Sequence, residues 1–142
     1  MRQIQFAVVA LVVLLIGSSQ TLAKPKPSIE YQLATINAGG YVKDDDISVA
    51  RFRSLLGQLS SKYVNSRQEI GDMSVRAMQV LQEKGVRVKL MTLMEGLNRV
   101  IIGVVKNQKY EEYCALYITM RDQGYDHSET IESMQALVEA LR

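Results

Sequence analysis

Residues 66–86 read SRQEIGDMSVRAMQVLQEKGV, a helix with both of its ends written into the sequence. Ser66 and Glu69 have the S-x-x-E spacing of a capping box, in which each side chain accepts a hydrogen bond from the other residue's backbone N–H. Ile70, Met73, Ala77, Val80 and Leu81 follow as an apolar stripe of helical period. Gly85 then supplies the left-handed residue that ends a helix. Val86 is placed to fold back on the last turn, as in a Schellman stop.

Working outward, Val86-Arg87-Val88-Lys89-Leu90 alternates like an extended connector. Thr92-Leu93-Met94-Glu95 repeats the box spacing and predicts a helix carrying Leu93, Met94, Leu97, Val100, Ile101, Val104 and Val105. Its apolar content marks it as the buried centre of the fold. Glu95 and Arg99, an i, i+4 pair, argue against a membrane span. Gly96 and Gly103 lie on one face of that predicted helix. Glycine there costs roughly 0.5–1 kcal/mol relative to alanine, so close approach of a neighbouring helix is expected, with a ligand as the alternative.

Lys109 to Asp122 predicts a further helix, stopped at Gln123-Gly124. Asp126 and Glu129 open the last one with cap-box spacing, and Ile131, Met134, Val138 and Leu141 form a heptad-like seam along it. Upstream, Asp44-Asp45-Asp46 precedes Phe52, Leu55, Leu56, Leu59 and Tyr63, which share a helical face. The triplet reads as an N-terminal cap, since the D-x-[DN]-x-[DN]-G calcium loop is missing. Residues 28–38 are ambiguous. Ile29, Leu33 and Ile36 fit a helix, whereas Ile29, Tyr31 and Leu33 alternate as in a strand.

The first residues carry an address. Arg2, the apolar run Phe6 to Ile16, Gly17-Ser18-Ser19-Gln20 and then Thr21-Leu22-Ala23 follow the order of a secretory signal peptide. The run of roughly 11 apolar residues is shorter than the about 20 needed to span a bilayer. The expected division is 1–23 signal peptide, 24–43 leader and first helix or extended segment, and 44–142 helical domain. The fold class expected is all-α, a small single-domain bundle of four to five helices with short connections. Both prolines, Pro25 and Pro27, lie in the leader, so nothing downstream interrupts a helix on that account. An exported product, periplasmic or extracellular, without stable membrane insertion after cleavage, is the corresponding localisation.

Charge removes one class of partner. The chain has 17 basic and 15 acidic side chains, with none of the basic excess that displaces counterions from phosphates, so no nucleic acid is expected. Gly39-Gly40 is too short for a phosphate loop. One cysteine and one histidine do not make a zinc set, and neither a metal nor a cofactor is expected.

Three groups carry what chemistry remains. Cys114 is a candidate free thiol, although its setting in Tyr113-Cys114-Ala115-Leu116-Tyr117 suggests a small buried hydrophobe. His127 lies beyond the following turn, roughly 10 Å along the helix axis from Cys114 at 1.5 Å per residue, too far for a nucleophile–base pair. It is expected to be exposed. Glu111, Glu112, Asp122, Glu129, Glu132 and Glu139 read as a solvated face rather than a catalytic pair.

Tyrosine is the skewed residue, with seven against two phenylalanines and no tryptophan. Tyr110, Tyr113 and Tyr117 fall on one helical face, with Tyr125 just after it. A ring with a polar tip suits the rim of a core or a protein-binding patch. These four are the candidate partner-binding residues. The function expected is that of an exported helical module that binds a protein or envelope component, as an inhibitor, immunity or accessory protein. The alternative is a small secreted hydrolase or thiol enzyme using Cys114 or paired carboxylates. A homodimer through the last helix or a Cys114 bridge is compatible with the first.

Overall fold

A computed structural model describes residues 25–103 and 107–141. The proposed signal peptide, with Val104 and Val105, lies outside the described residues. Six helices occur among them, with no strand: α1 (Ile29–Ala38), α2 (Ile47–Lys62), α3 (Arg67–Glu83), α4 (Leu90–Val100), α5 (Tyr110–Asp122) and α6 (His127–Ala140). The all-α expectation holds.

Local chemistry sets most of the helix ends. The ambiguous segment is a helix: the Ser28 hydroxyl accepts from the Tyr31 N–H, and Gly39 closes α1 in the left-handed region at φ 71°. Leu33 and Ala34 on α1 are buried, so this element belongs to the core rather than to a leader. Asp46, last of the acidic triplet, caps α2 by accepting from the Ser48 N–H at 2.8 Å. Both sides of the Ser66/Glu69 and Asp126/Glu129 boxes are made. The Schellman stop at Gly85 is complete, with Val86 N–H to Leu81 C=O at 2.9 Å and Gly85 N–H to Gln82 C=O at 3.0 Å. Gly124 ends α5 in the same way.

Helix α4 departs from expectation at both ends. It begins at Leu90, so Thr92 lies inside its first turn and is not a cap; no local side chain caps this terminus. The cap comes from another helix: Asn37 Oδ1 accepts from the Met91 N–H at 3.0 Å. At the other end the helix stops at Val100, and Ile101 is extended. Gly103 therefore stands outside the helix, in the left-handed region at φ 84°. It shares no helical face with Gly96.

α4 is nonetheless the centre of the bundle, packing on α1, α2, α3 and α6. Its Leu90, Leu93, Met94 and Leu97 are fully buried. Helices α3, α5 and α6 close the far side, with α5 between the other two. Ile131 and Met134 of the predicted α6 seam are buried in this core, whereas Leu141 is 87% exposed. Half of the seam is thus already covered within the chain. No described helix is long and apolar enough to cross a membrane.

Candidate functional site

The four candidate tyrosines do not form one surface. Tyr110 and Tyr117 are both 0% exposed, Tyr113 is half-buried, and only Tyr125 is largely open. The stripe points inward because α5 lies between α3 and α6, so its apolar rings fill the core. Tyr63, from α2's end, meets Tyr110 and Tyr113 edge to face, with ring centroids 5.0 and 5.2 Å apart. As a partner-binding patch the set is corrected: Tyr110 and Tyr117 are structural.

Their hydroxyls are satisfied inside. Ser74 donates to the Ile70 carbonyl at 2.7 Å, which leaves its oxygen to accept from the Tyr110 hydroxyl at 2.8 Å. Tyr63 donates to the Leu97 carbonyl at 3.1 Å. Burial raises the pKa of Tyr63 and of Tyr110 well above the ordinary phenol range.

Cys114 is a free thiol, 6% exposed, between α3 and α5 beside Met73, Ala77, Val80 and Ile118. Burial pushes its pKa up to about 12, opposed by the Tyr110 hydroxyl and assisted by Glu111. A thiol held protonated in this way is neither a nucleophile nor a ready bridge to a second chain. The carboxylates Glu111, Glu112, Asp122, Glu129, Glu132 and Glu139 are all exposed. No cluster of His, Cys, Asp and Glu able to hold a metal occurs among the described residues.

His127 is the site residue whose placement the sequence did not reveal. Instead of projecting from the start of α6, its ring is half-buried against α5. The Tyr117 hydroxyl lies 2.8 Å from Nδ1, with the rings edge to face at 5.9 Å. Tyr117 is fully enclosed and its hydroxyl proton needs an acceptor, so the phenol donates to Nδ1 and Nε2 carries the ring proton. Burial lowers the His127 pKa below 6.5, and Arg99 and Arg121 lower it further, against an opposing effect of Asp126.

The imidazole borders an open hollow of about 490 Å³ with Thr92, Glu95, Asn98 and Arg99. Glu95 is held at 2.9 Å by Arg51. On the far side of α6, a second, mostly apolar groove of about 280 Å³ runs between α5 and α6 past Tyr113, Leu116, Leu137 and Leu141. Tyr113, alone of the three tyrosines of α5, reaches this surface.

No curated protein and no solved structure matches this chain. Residues 38–138, most of the chain, match the family model described as MoxZ.

Proposed function

The chain belongs to the MoxZ family, and from that premise we propose that it is an exported accessory protein associated with methanol oxidation. It acts by binding a protein or envelope component, not by turning over a substrate. The family assignment supports an accessory role in that process. The observation that carries the choice against a thiol enzyme is the position of Cys114, enclosed between α3 and α5 with its pKa near 12. The order of charged, apolar and small residues over 1–23 supports export.

Deletion from the host, followed by add-back of purified protein, tests this reading. Envelope extracts of the deletion strain should oxidise methanol more slowly. The chain beginning at Lys24 should restore the rate in proportion to the amount added and show no methanol turnover alone. Unchanged activity on deletion, or turnover by the purified chain, would overturn the proposal. An intact mass of the native product still including Met1 would overturn export with cleavage.

A further inference from the structure

Helix α6 is lightly held. It packs chiefly on α4 and α5. Thr130, Ile131 and Met134 are its buried residues, against seven along the shorter α4. Gln135 donates to the Arg99 carbonyl at 2.9 Å, and His127 Nδ1 accepts from the Tyr117 hydroxyl at 2.8 Å. The N-terminal cap of α6 is its own, made by Asp126 and Glu129. His127 is therefore the residue that hydrogen-bonds the start of this self-capped helix to α5. The other helices do not need α6 to meet one another, since α4 also packs on α1, α2 and α3, and α5 on α3.

The surroundings of the ring suit its neutral form. As the first residue of α6, His127 sits on the partial positive charge of a helix N-terminus. Tyr117 donates to Nδ1, so a proton placed there leaves an enclosed phenol without its acceptor. Arg99 from α4 and Arg121 from α5 both act against an imidazolium, and Asp126 of α6 acts for it. Arg121 is lodged with its guanidinium carbon 6.0 Å from the Tyr117 ring centroid. Glu95 of α4 borders the same hollow but is engaged by Arg51 at 2.9 Å. The ring is also packed on α4, where only the missing side chain of Gly96 leaves room for its Cε1.

We propose that His127 is an acid-sensitive latch, whose protonation detaches α6 as a unit from α4 and α5 while α1 to α5 stay folded. Detachment carries the imidazolium into water, away from both arginines, and uncovers α4 at Gly96 together with the Tyr117 hydroxyl. The direction follows from linkage. Burial first, then Arg99 and Arg121, hold the docked ring below the ordinary 6.5, whereas the detached helix takes up its proton at the ordinary value. Opening therefore rises as pH falls below 6.5, by up to about tenfold per pH unit, and levels off below the docked pKa. The proposal rests on these contacts and is independent of the role in methanol oxidation.

Amide hydrogen exchange of the chain beginning at Lys24, followed by NMR, tests the latch. The Met134 and Val138 amides report α6, and those of Ala77 and Leu81 report α3. Between about pH 7.5 and about pH 5, protection of the α6 amides, corrected for intrinsic rate, should fall at least about threefold. Detaching one helix exposes little surface, so this exchange should hardly respond to dilute urea, whereas exchange in α3 should accelerate with it. H127N keeps an acceptor for Tyr117 but has nothing to titrate, so it should hold α6 in place and lose the acid response. R99Q removes one opposing charge and should shrink that response. Protection of α6 that ignores pH, a urea dependence equal to that of α3, or a full acid response in folded H127N would each overturn the latch.

Discussion

Gly96 of α4 lies directly under the edge of His127: a β-carbon built on it would stand 2.7 Å from the imidazole Cε1 and 2.8 Å from the Ile131 Cδ1. Neither neighbour can yield easily. The imidazole is fixed by Tyr117, and Ile131 is buried in the core. The glycine is therefore what lets α4 and α6 approach closely, and it shapes the hollow's wall at the same time.

G96A should destabilise the protein despite the better helix propensity of alanine. Overpacking costs about 1–3 kcal/mol and propensity returns about 0.5–1 kcal/mol, leaving a net loss of up to about 2.5 kcal/mol. A lower urea midpoint at unchanged slope would show it, together with a displaced His127 Cε1 resonance. An unchanged midpoint would mean that α6 moves away without loss.

Two asparagines cap helices that are distant from them in the chain. Asn37 accepts from the Met91 N–H at 3.0 Å, and Asn65 accepts from the Tyr110 N–H at 2.8 Å. N37A and N65A should each lose about 1 kcal/mol. The aspartates should differ. N37D keeps the acceptor and adds a favourable charge at the α4 N-terminus. N65D places a second carboxylate beside Glu111, to which Asn65 Nδ2 now donates at 3.2 Å. Denaturant midpoints should therefore rank N37D near wild type and N65D below it.

Those distant caps explain what the sequence concealed. A box such as Ser66/Glu69 or Asp126/Glu129 is local, and its meaning survives without knowledge of the fold. The glycines that end α3 and α5 are equally local. The terminus of α4 depends on Asn37 across the bundle, so the equally good spacing of Thr92 and Glu95 was a false signal. Periodicity likewise placed Tyr110, Tyr113 and Tyr117 on one face without saying whether that face looks in or out. The position of α5 between α3 and α6 decides it. His127 carried no pattern at all, because its partner Tyr117 is brought to it by the turn at Gly124.

Cys114 should react with iodoacetamide on the order of a thousandfold more slowly in the folded state than in urea, because its pKa moves from the ordinary 9.0 to about 12 and the thiolate fraction falls accordingly. Comparable labelling rates in both states would contradict the enclosed thiol. The same shift predicts alkaline instability. A folded pKa raised above the unfolded one contributes stability that is intact below about 9 and is lost as pH rises through the folded value. Tyr63 and Tyr110 act in the same direction. The urea midpoint should therefore fall as the pH rises from about 9 toward 12, less steeply in C114A.

His127 makes an opposite prediction on the acid side. The folded His127 pKa lies below the ordinary 6.5, chiefly through burial, then through Arg99 and Arg121. The unfolded chain therefore takes up its proton first, and stability present above about pH 6.5 should decline as pH falls below it. Y117F removes the donor that favours the neutral ring, so the His127 midpoint should move up toward 6.5 in an NMR titration. H127A should be the more damaging change, by about 1–3 kcal/mol, because it leaves the Tyr117 hydroxyl enclosed without an acceptor. The double variant should then lose less than the sum of the two single changes. An unmoved His127 midpoint in Y117F, or strict additivity, would show that the phenol and the imidazole do not act as a pair.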